Sequence, residues 1–434
     1  MPMTTTVTVI GTGYVGLVTG LALANRGHRV VFYDIDPLKV SAVREGKASF
    51  FEEGVDEALQ RARDDGRISA THDGVDAVRE SDFSFVCVGT PALRDGSMDS
   101  GQILSAASLI GQALKDRRGG HTVVVKSTVR PGTTETVILP AIRDGAGRDV
   151  PFGLCANPEF LREGSALKDA LGPDRIVIGE RDRESGDALE ALYRPSDCPV
   201  LRCSLRTAEM IKYATNAFLA TKISFANELA NLCDRFDVDW DDVVRGLGLD
   251  PRINPRFMVP GVGFGGSCFP KDLAAMVAEG RARGYEAILL PAVLALNERQ
   301  PQRSVEILAE ELGDLSGKRI AVLGLAFKAG TDDVRESRAV PIVRELARRG
   351  VEVVGYDPVA DTNFSKVVPE LSLANSLHEA LEGSDGCIIQ ADWPEIRNLS
   401  PDDFGGMRKP VVVDGRRSLD RAALGDRVVY RRIG

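Results

Sequence analysis

Histidine is scarce in this chain, with four in 434 residues, and no HExxH occurs. Nor does any CxxC pair occur among the seven cysteines, at 87, 155, 198, 203, 233, 268 and 387. Both gaps argue against a zinc site, and no metal is expected. Seven is odd, so the cysteines cannot all pair, and the simplest reading is a reduced, cytoplasmic protein. No apolar run approaches the roughly 18 residues of a membrane span, and the opening MPMTTT lacks the build of a signal peptide. Long basic tracts are missing too. The net charge is −9 and the pI about 5.3. Neither nucleic acid nor an anionic membrane is therefore an expected partner. Small anions are not excluded, because a loop can be positive in an acidic protein.

What is present is an α/β pattern. TVTVIG (6–11), HRVVFYDID (28–36), FSFVCVGT (83–90) and HTVVVKST (121–128) are apolar runs of the kind that form buried parallel strands. FGLCAN (152–157) and RIVIGE (175–180) extend the series to about residue 200. Strands alternating with helical segments predict a doubly wound parallel sheet. From Val200 to Arg245 there is no Gly and no Pro. Residues 207–236 are expected to form one helix of roughly 45 Å. It is apolar on more than one side, so burial between domains or subunits is expected. Beyond residue 317 the opening pattern returns. KRIAVLGLAFKAG (318–330) echoes TVTVIGTGYVG, and GVEVVGYD (350–357) echoes GHRVVFYD (27–34). The expected fold is two Rossmann-like doubly wound domains joined by a long central helix. Its expected parts are a first α/β domain at 1–200, a helical domain at 201–300 that carries the expected packing between domains or subunits, and a second α/β domain at 301–434.

GTGYVG, Gly11 to Gly16, follows a strand and opens a helix, and Asp34 ends the next strand. Gly11 permits the tight turn, Gly13 lets the backbone approach a pyrophosphate, and Gly16 lets helix pack on strand. The helix start offers amide donors to phosphate. Asp34 suits a ribose hydroxyl pair and repels a 2′-phosphate, so NAD is favoured over NADP, a preference that Lys39 tempers. The later echo places Ala326 and Ala329 where Gly13 and Gly16 stand, so a dinucleotide is not expected there. A structural domain or another kind of nucleotide site, helped by Lys328, remains. Lys212 and Asn216 lie four apart on one helical face, and Glu159 and Glu163 in NPEFLREG are again four apart, in what reads as a turn and a charged helix start. Such spacing alone is also that of ordinary solvated helix residues. GVGFGGSCFPKDL (261–273) sets Cys268 in a glycine-rich loop ahead of Pro270, Lys271 and Asp272. Pro270 suits a helix start, whose partial positive charge favours a thiolate. Lys271 is expected to add to that effect. Gly265 and Gly266 are expected to leave room for a substrate. Together these features favour a nucleophile over an inert core thiol.

In this order the motifs GTGYVG, CVGTP…DGSMD, KSTVRPGTT, NPEFLREG, PDRIVIG, AEMIKYATNAFLATKISFANE, GFGGSCFPKDL, LGLAFKAGTDDVRES and DGRR resemble the nucleotide-sugar 6-dehydrogenases, the family of the UDP-glucose and GDP-mannose dehydrogenases. The resemblance covers nearly the whole chain. It implies a four-electron oxidation of a C6 alcohol to a carboxylate with NAD, through a thiohemiacetal and a thioester on Cys268. It implies Lys212 and Asn216 at the oxyanions, Asp272 and Thr128 holding a water, and Glu159 in thioester hydrolysis. The first general base stays open. Gly11, Gly13, Val15, Gly16, Asp34, Lys39, Thr90, Thr128, Glu163, Lys271 and Arg335 correspond to NAD contacts. Substrate contacts correspond to Glu159, Phe160, Leu161, Arg162 and Glu163, and to Phe257, Met258, Val259, Pro260 and Gly261. Lys212, Asn216, Arg252, Gly265, Lys328 and Arg416 complete that set.

DPRI (250–253) resembles the UDP-glucose branch, whereas FKAGTDD and SFANE also resemble the GDP-mannose branch. ADW (391–393) departs from the usual TEW. A UDP-sugar, foremost UDP-glucose, is the expected substrate, with GDP-mannose or a UDP-N-acetylhexosamine as alternatives. A homodimer or higher homo-oligomer is expected along the long helix. Two rival classes fare worse. A short-chain epimerase needs Tyr-x-x-x-Lys, and none of the seven tyrosines has Lys four residues on. An inactive nucleotide-sugar sensor would have no need for Cys268, Lys212 and Asp272 together.

Overall fold

β-Branched, apolar runs form the strands, and glycine or aspartate turns end them. The computed structural model describes residues 4–93, 95–117, 119–147 and 150–434. Of the opening MPMTTT, residues 1–3 lie outside that set. The chain divides into two compact units, Met1–Thr215 and Asn216–Gly434. The boundary falls inside one helix, Leu205–Phe236. Its start and end match the expected 207–236 to within two residues, because the run has nothing to break it.

The first unit is built on an eight-stranded sheet. Its strands are β1 (Thr6–Ile10), β2 (Arg29–Tyr33), β3 (Ile68–Thr71), β4 (Phe83–Val86), β5 (Thr122–Val125), β6 (Gly153–Ala156), β7 (Ile176–Glu180) and β8 (Val200–Ser204). The order is β3-β2-β1-β4-β5-β6-β7-β8. Both faces are covered, since Val7 and Val9 enter one apolar cluster and Ile10 the other. Two strands escaped the sequence reading. β3 and β8 are short edge strands that are only partly buried, so neither has a continuous apolar run. One pairing also differs from the expected parallel sheet, because β6 and β7 are antiparallel. The helix between them, Ala166–Leu171, is six residues long. It does not carry the chain back along a strand, so the connection returns from the edge at which it left.

The second unit holds a six-stranded parallel sheet ordered β11-β10-β9-β12-β13-β14. These strands are β9 (Arg319–Leu323), β10 (Glu352–Tyr356), β11 (Ser372–Leu373), β12 (Gly386–Ile389), β13 (Val411–Asp414) and β14 (Val429–Arg432). Ile320 and Val322 point to one cluster, Ala321 and Leu323 to the other. Helices Trp240–Gly248, Phe269–Ala282 and Leu289–Leu312 precede this sheet.

The internal echo is structural. Gly11 has φ +96° and donates to Tyr33 O at 2.8 Å, and Gly324 has φ +87° and donates to Tyr356 O at 2.7 Å. The copies then diverge. A helix starts at Tyr14 in the first unit, but at Ala339 in the second. Asp357, the counterpart of Asp34, is buried and already fully used. Its Oδ2 accepts from Leu325 N (2.7 Å), Ala326 N (3.0 Å) and Trp393 Nε1 (3.1 Å). Its Oδ1 accepts from Val359 N (3.0 Å) and Ala360 N (2.9 Å). Without a helix start or an available carboxylate, this turn lacks the parts that hold a dinucleotide.

Asp357→Ala strands these donors, each at a cost of about 1–3 kcal/mol if no water replaces the carboxylate. We expect urea denaturation to show a loss of roughly 3 kcal/mol or more. NAD affinity, measured on the folded variant, should stay unchanged.

Candidate active site

Where β1 runs into the helix Tyr14–Asn25, the backbone forms a cradle. A Cβ on Gly11 would press on Cys87 O at 2.9 Å, and one on Gly16 would collide with Gly11 O. These two glycines are fixed by packing. Gly13 is different, for a Cβ there would meet nothing within 4 Å. That open space lies at the helix N-cap, where main-chain amides have no helical acceptor. Asp34, after β2, accepts from Thr12 N (2.7 Å), Thr12 Oγ1 (2.8 Å) and Asp36 N (3.0 Å). Burial works against its charge, yet these donors and nearby Lys39 hold it below the usual carboxylate range. Val15 lies on the same helix, half-buried. Thr90 Oγ1 donates to Thr128 O at 2.9 Å, joining two further residues of the expected cofactor set. The residues present fit NAD, with space at a helix start and an ionised carboxylate after the second strand.

Beside this cradle a second carboxylate does work that the sequence did not disclose. Glu52 accepts from Tyr14 Oη (2.8 Å), Gly164 N (2.6 Å) and Ala166 N (2.7 Å). It ties the segment after β6 to the first helix. Within that segment Glu159 is buried. Its Oε1 accepts from Lys212 Nζ at 2.8 Å, and its Oε2 from Leu161 N at 2.6 Å. Burial opposes the Glu159 charge, but Lys212, the Leu161 amide and Lys126 hold its pKa below the ordinary value. Phe160 lies under Arg175, 3.8 Å from ring centroid to guanidinium carbon, and Arg162 pairs with Asp169. Glu163 is half-buried. One turn ahead of Lys212, Glu209 accepts from Gly132 N and Thr134 N, binding the loop after Thr128 to the long helix. Burial pushes the Glu209 pKa up, against the pull of those amides.

In the second unit Cys268 caps the helix Phe269–Ala282, with Pro270 in its first turn as expected. The thiol is half-buried, is not in a disulfide and lies 3.6 Å from Ser267 Oγ. Asp272 follows one turn later and is 1% exposed. Its Oδ2 accepts from Asn216 Nδ2 and its Oδ1 from Lys271 Nζ, both at 2.6 Å. This alters the reading of Lys271, whose charge is offset by Asp272 and is not directed at the thiol alone. The loop glycines are also closely packed. A Cβ on Gly265 would collide with Glu336 O, and one on Gly266 (φ +80°) would reach the Phe327 ring at 2.8 Å. Close packing by itself calls for glycine at both positions.

Three buried amides missed by the sequence reading clamp this loop. Asn227 Oδ1 accepts from Gly261 N at 2.7 Å, and Gln300 Nε2 donates to Gly261 O at 2.9 Å. Asn297 pairs with both main-chain groups of Phe264, at 2.8 and 3.0 Å. Arg416 adds to them, donating to Gly263 O at 2.9 Å, Phe327 O at 3.3 Å and Gln390 O. Burial lowers the Arg416 pKa to about 10. Phe257 has φ +69°, Met258 and Pro260 are buried, and Val259 is exposed. Lys328 lies over the Phe327 ring. Arg335 pairs with Asp333, and exposed Arg252 with Asp250. Sequence spacing could have flagged none of the three amides, because each acts across more than thirty residues.

The cradle and its carboxylate define a dinucleotide-binding protein. Residues 5–197 match the NAD binding domain of the UDP-glucose/GDP-mannose dehydrogenase family, residues 206–299 its central domain, and residues 321–421 its UDP binding domain. The UDP-glucose 6-dehydrogenase AglM of Haloferax volcanii is 45% identical, over 95% of this chain and 97% of its own. The UDP-glucose 6-dehydrogenase TuaD of Bacillus subtilis is 40% identical, over 94% and 88%. The solved structure of a UDP-glucose dehydrogenase from Pyrobaculum islandicum superposes with a TM-score of 0.92 at 42% identity, covering 99% of this chain and 98% of that one. The chain belongs to the UDP-glucose/GDP-mannose dehydrogenase family and is an NAD-dependent oxidoreductase. Among the described residues no helix is long and apolar enough to cross a membrane.

The Glu159–Lys212 pair carries a pH signature. A carboxylate with a depressed folded pKa stabilises the fold above its unfolded value, about 4.3. That contribution is lost as pH falls through the lower folded value. The stability difference between the wild type and Glu159→Gln should therefore shrink below about pH 4. At neutral pH, Lys212→Met should cost roughly 3–5 kcal/mol, because it leaves a buried carboxylate without its cation. Denaturant titrations across pH measure both.

Proposed function

We propose that this chain oxidises the C6 alcohol of UDP-glucose to the carboxylate, giving UDP-glucuronate and two NADH. The relatives of 40–45% identity that bear the name UDP-glucose 6-dehydrogenase support the choice of substrate. The observation that carries the chemistry is Cys268 at a helix start, one turn before the buried Asn216–Asp272–Lys271 network.

NAD, when bound, accepts a hydride in each oxidation. The first oxidation removes a hydride from C6 and the hydroxyl proton, leaving an aldehyde. An aldehyde carbon has no ready second hydride donor state until a nucleophile makes it tetrahedral. The Cys268 thiolate adds to it, and the resulting thiohemiacetal loses the second hydride and a proton to become a thioester. Water then cleaves the C–S bond, which returns the thiol and yields the acid. Lys212 and Asn216 stabilise the oxyanions, an ammonium and an amide being suited to that role. Asp272 and Thr128 each serve proton transfer by way of water, and Glu159 serves the hydrolysis. Gly13, Asp34 and Thr90 hold the dinucleotide. Lys328 and Arg416, within the segment that matches the family's UDP binding domain, and Arg252, within its central domain, belong to the UDP-sugar side.

A homodimer is part of the same reading. Phe218, Phe225 and Leu232 recur every seven residues on the long helix and are 65%, 46% and 47% exposed. Such an apolar stripe calls for a partner surface, here a second copy. A cytoplasmic location accords with the cysteines, none of which is in a disulfide among the described residues.

The decisive assay follows NADH at 340 nm with UDP-glucose, GDP-mannose, UDP-N-acetylglucosamine and UDP-N-acetylmannosamine. UDP-glucose should be the best substrate and should give two NADH per sugar without free aldehyde. Cys268→Ser should give at most about one NADH per site and then stall, because a hydroxyl is barely ionised near neutral pH. Multiple turnovers by that variant at the wild-type rate would reduce the thiol to a structural group. Light scattering should report a dimer at assay concentration, and an active monomer would remove the dimer from this reading.

A further inference from the structure

The first unit contains a buried cation to which the proposed chemistry gives no role. Lys126 follows β5 and is 8% exposed. Its Nζ donates to Asn157 Oδ1 at 2.9 Å and to Tyr193 Oη at 3.4 Å. Both acceptors are neutral. Asn157 follows β6 and is 1% exposed. Its Nδ2 donates to Val177 O at 2.8 Å, and the Tyr193 hydroxyl donates to its Oδ1. The amide is thus held at both ends, from β5, from β7 and from Tyr193. Two residues later comes Glu159. A cavity of about 210 Å³ is lined by Lys126, Asn157, Glu159 and Tyr193 among others.

A buried ammonium with only neutral hydrogen-bond partners is costly. Glutamine at this position could hold Asn157 equally well. A lysine is explained if its charge is used, and the buried anion on this loop is Glu159. We propose that Lys126 is a positioning residue for Glu159: through Asn157 it fixes the turn that carries Glu159, and its charge acts with Lys212 on that carboxylate. The proposal rests on the reading that Glu159 serves thioester hydrolysis.

Beyond Lys126, the cavity that Glu159 lines also carries Arg162, Lys168, Asp169, Asp174, Arg175 and Tyr193, and further groups approach from other elements. Lys212 approaches from the long helix at 2.8 Å, and Lys126 from the end of β5. The Cys87 thiol, after β4, is neutral, because burial pushes its pKa up to about 12. Removing either cation favours protonated Glu159, so the base form would disappear at a higher pH than in the wild type.

The test measures kcat, the KM for NAD and the pH profile of NADH formation with UDP-glucose. Lys126→Met should lower kcat about tenfold, leave the KM for NAD within about twofold, and move the acidic limb of the kcat profile up by about one pH unit. Lys126→Arg should restore the limb. Lys126→Gln keeps a donor for Asn157 but should still show the shifted limb. Tyr193→Phe removes two hydrogen bonds but no charge, so it should reduce kcat by only a few fold with the limb in place. Should Lys126→Met fail to fold, the Gln and Phe variants carry the comparison. Unshifted limbs in the Met and Gln variants, with kcat falling only as far as thermal stability does, would overturn the proposal. Glu159→Gln separates this from the parent reading: if that variant releases the acid at the wild-type rate, the hydrolytic role of Glu159 is what fails. If Glu159→Gln is impaired while the Lys126 variants keep the wild-type limb, the role of Lys126 alone fails.

Discussion

A carboxylate taken out of water must be given hydrogen-bond donors, and in both units most of those donors are main-chain amides of loops that leave the sheet. Asp34 takes the amides of Thr12 and Asp36, and Asp357 takes four amides and an indole. Glu52 and Glu209 do the same for residues 164–166 and 132–134. Each such side chain converts a stretch without secondary structure into a fixed surface. An unpaired buried amide would be penalised, so the loop has little freedom to leave. The cofactor cradle and the loop after Thr128 owe their shape to this constraint.

Glu159 and Asp272 satisfy the same demand in another way, by taking lysine ammonium groups as donors. An ion pair fixes geometry less firmly than a set of amides, but it leaves charge that can respond to a reacting group. The division is chemically sensible. Carboxylates held by the backbone build the scaffold, whereas those held by lysine stand next to the residues proposed for catalysis. The cysteine loop is gripped by neutral amides together with the Arg416 guanidinium on Gly263 O. Asn227, Asn297 and Gln300 grip Gly261 and Phe264 without adding charge near the thiol segment.

The duplicated turn shows how little separates a nucleotide cradle from a structural one. Gly11 and Gly324 share a positive φ and the same hydrogen bond to the neighbouring strand. One copy continues into a helix and keeps open space at Gly13, and the other seals its aspartate under Trp393. A pyrophosphate needs free amides at a helix start, so only the first copy retains what it needs.

The sequence by itself determined the six inner strands of the first sheet, β9 and β10 of the second, the long helix and the glycine turn Gly11–Gly16 with Asp34 after the next strand, whereas β11 to β14 were not among the strands it marked. Each marked feature depends on local chemistry: apolar runs, an unbroken helical stretch, or a strand-to-helix turn whose positive φ at Gly11 favours glycine. It also marked Cys268, Lys212, Asn216, Asp272 and Glu159 as candidates through motif order. Only the tertiary structure decided what those side chains touch. The edge strands β3 and β8 and the antiparallel β7 depend on neighbours and not on composition. The close packing of Gly265 and Gly266 depends on Glu336 and Phe327, and the pairing of Lys271 depends on the rotamer facing Asp272. Lys126 looks like any strand-end lysine in the chain, and it becomes distinctive only where folding sets it against Asn157 and Tyr193. Hydrogen bonds between residues far apart in sequence leave no periodicity to read, whereas burial and turn geometry do.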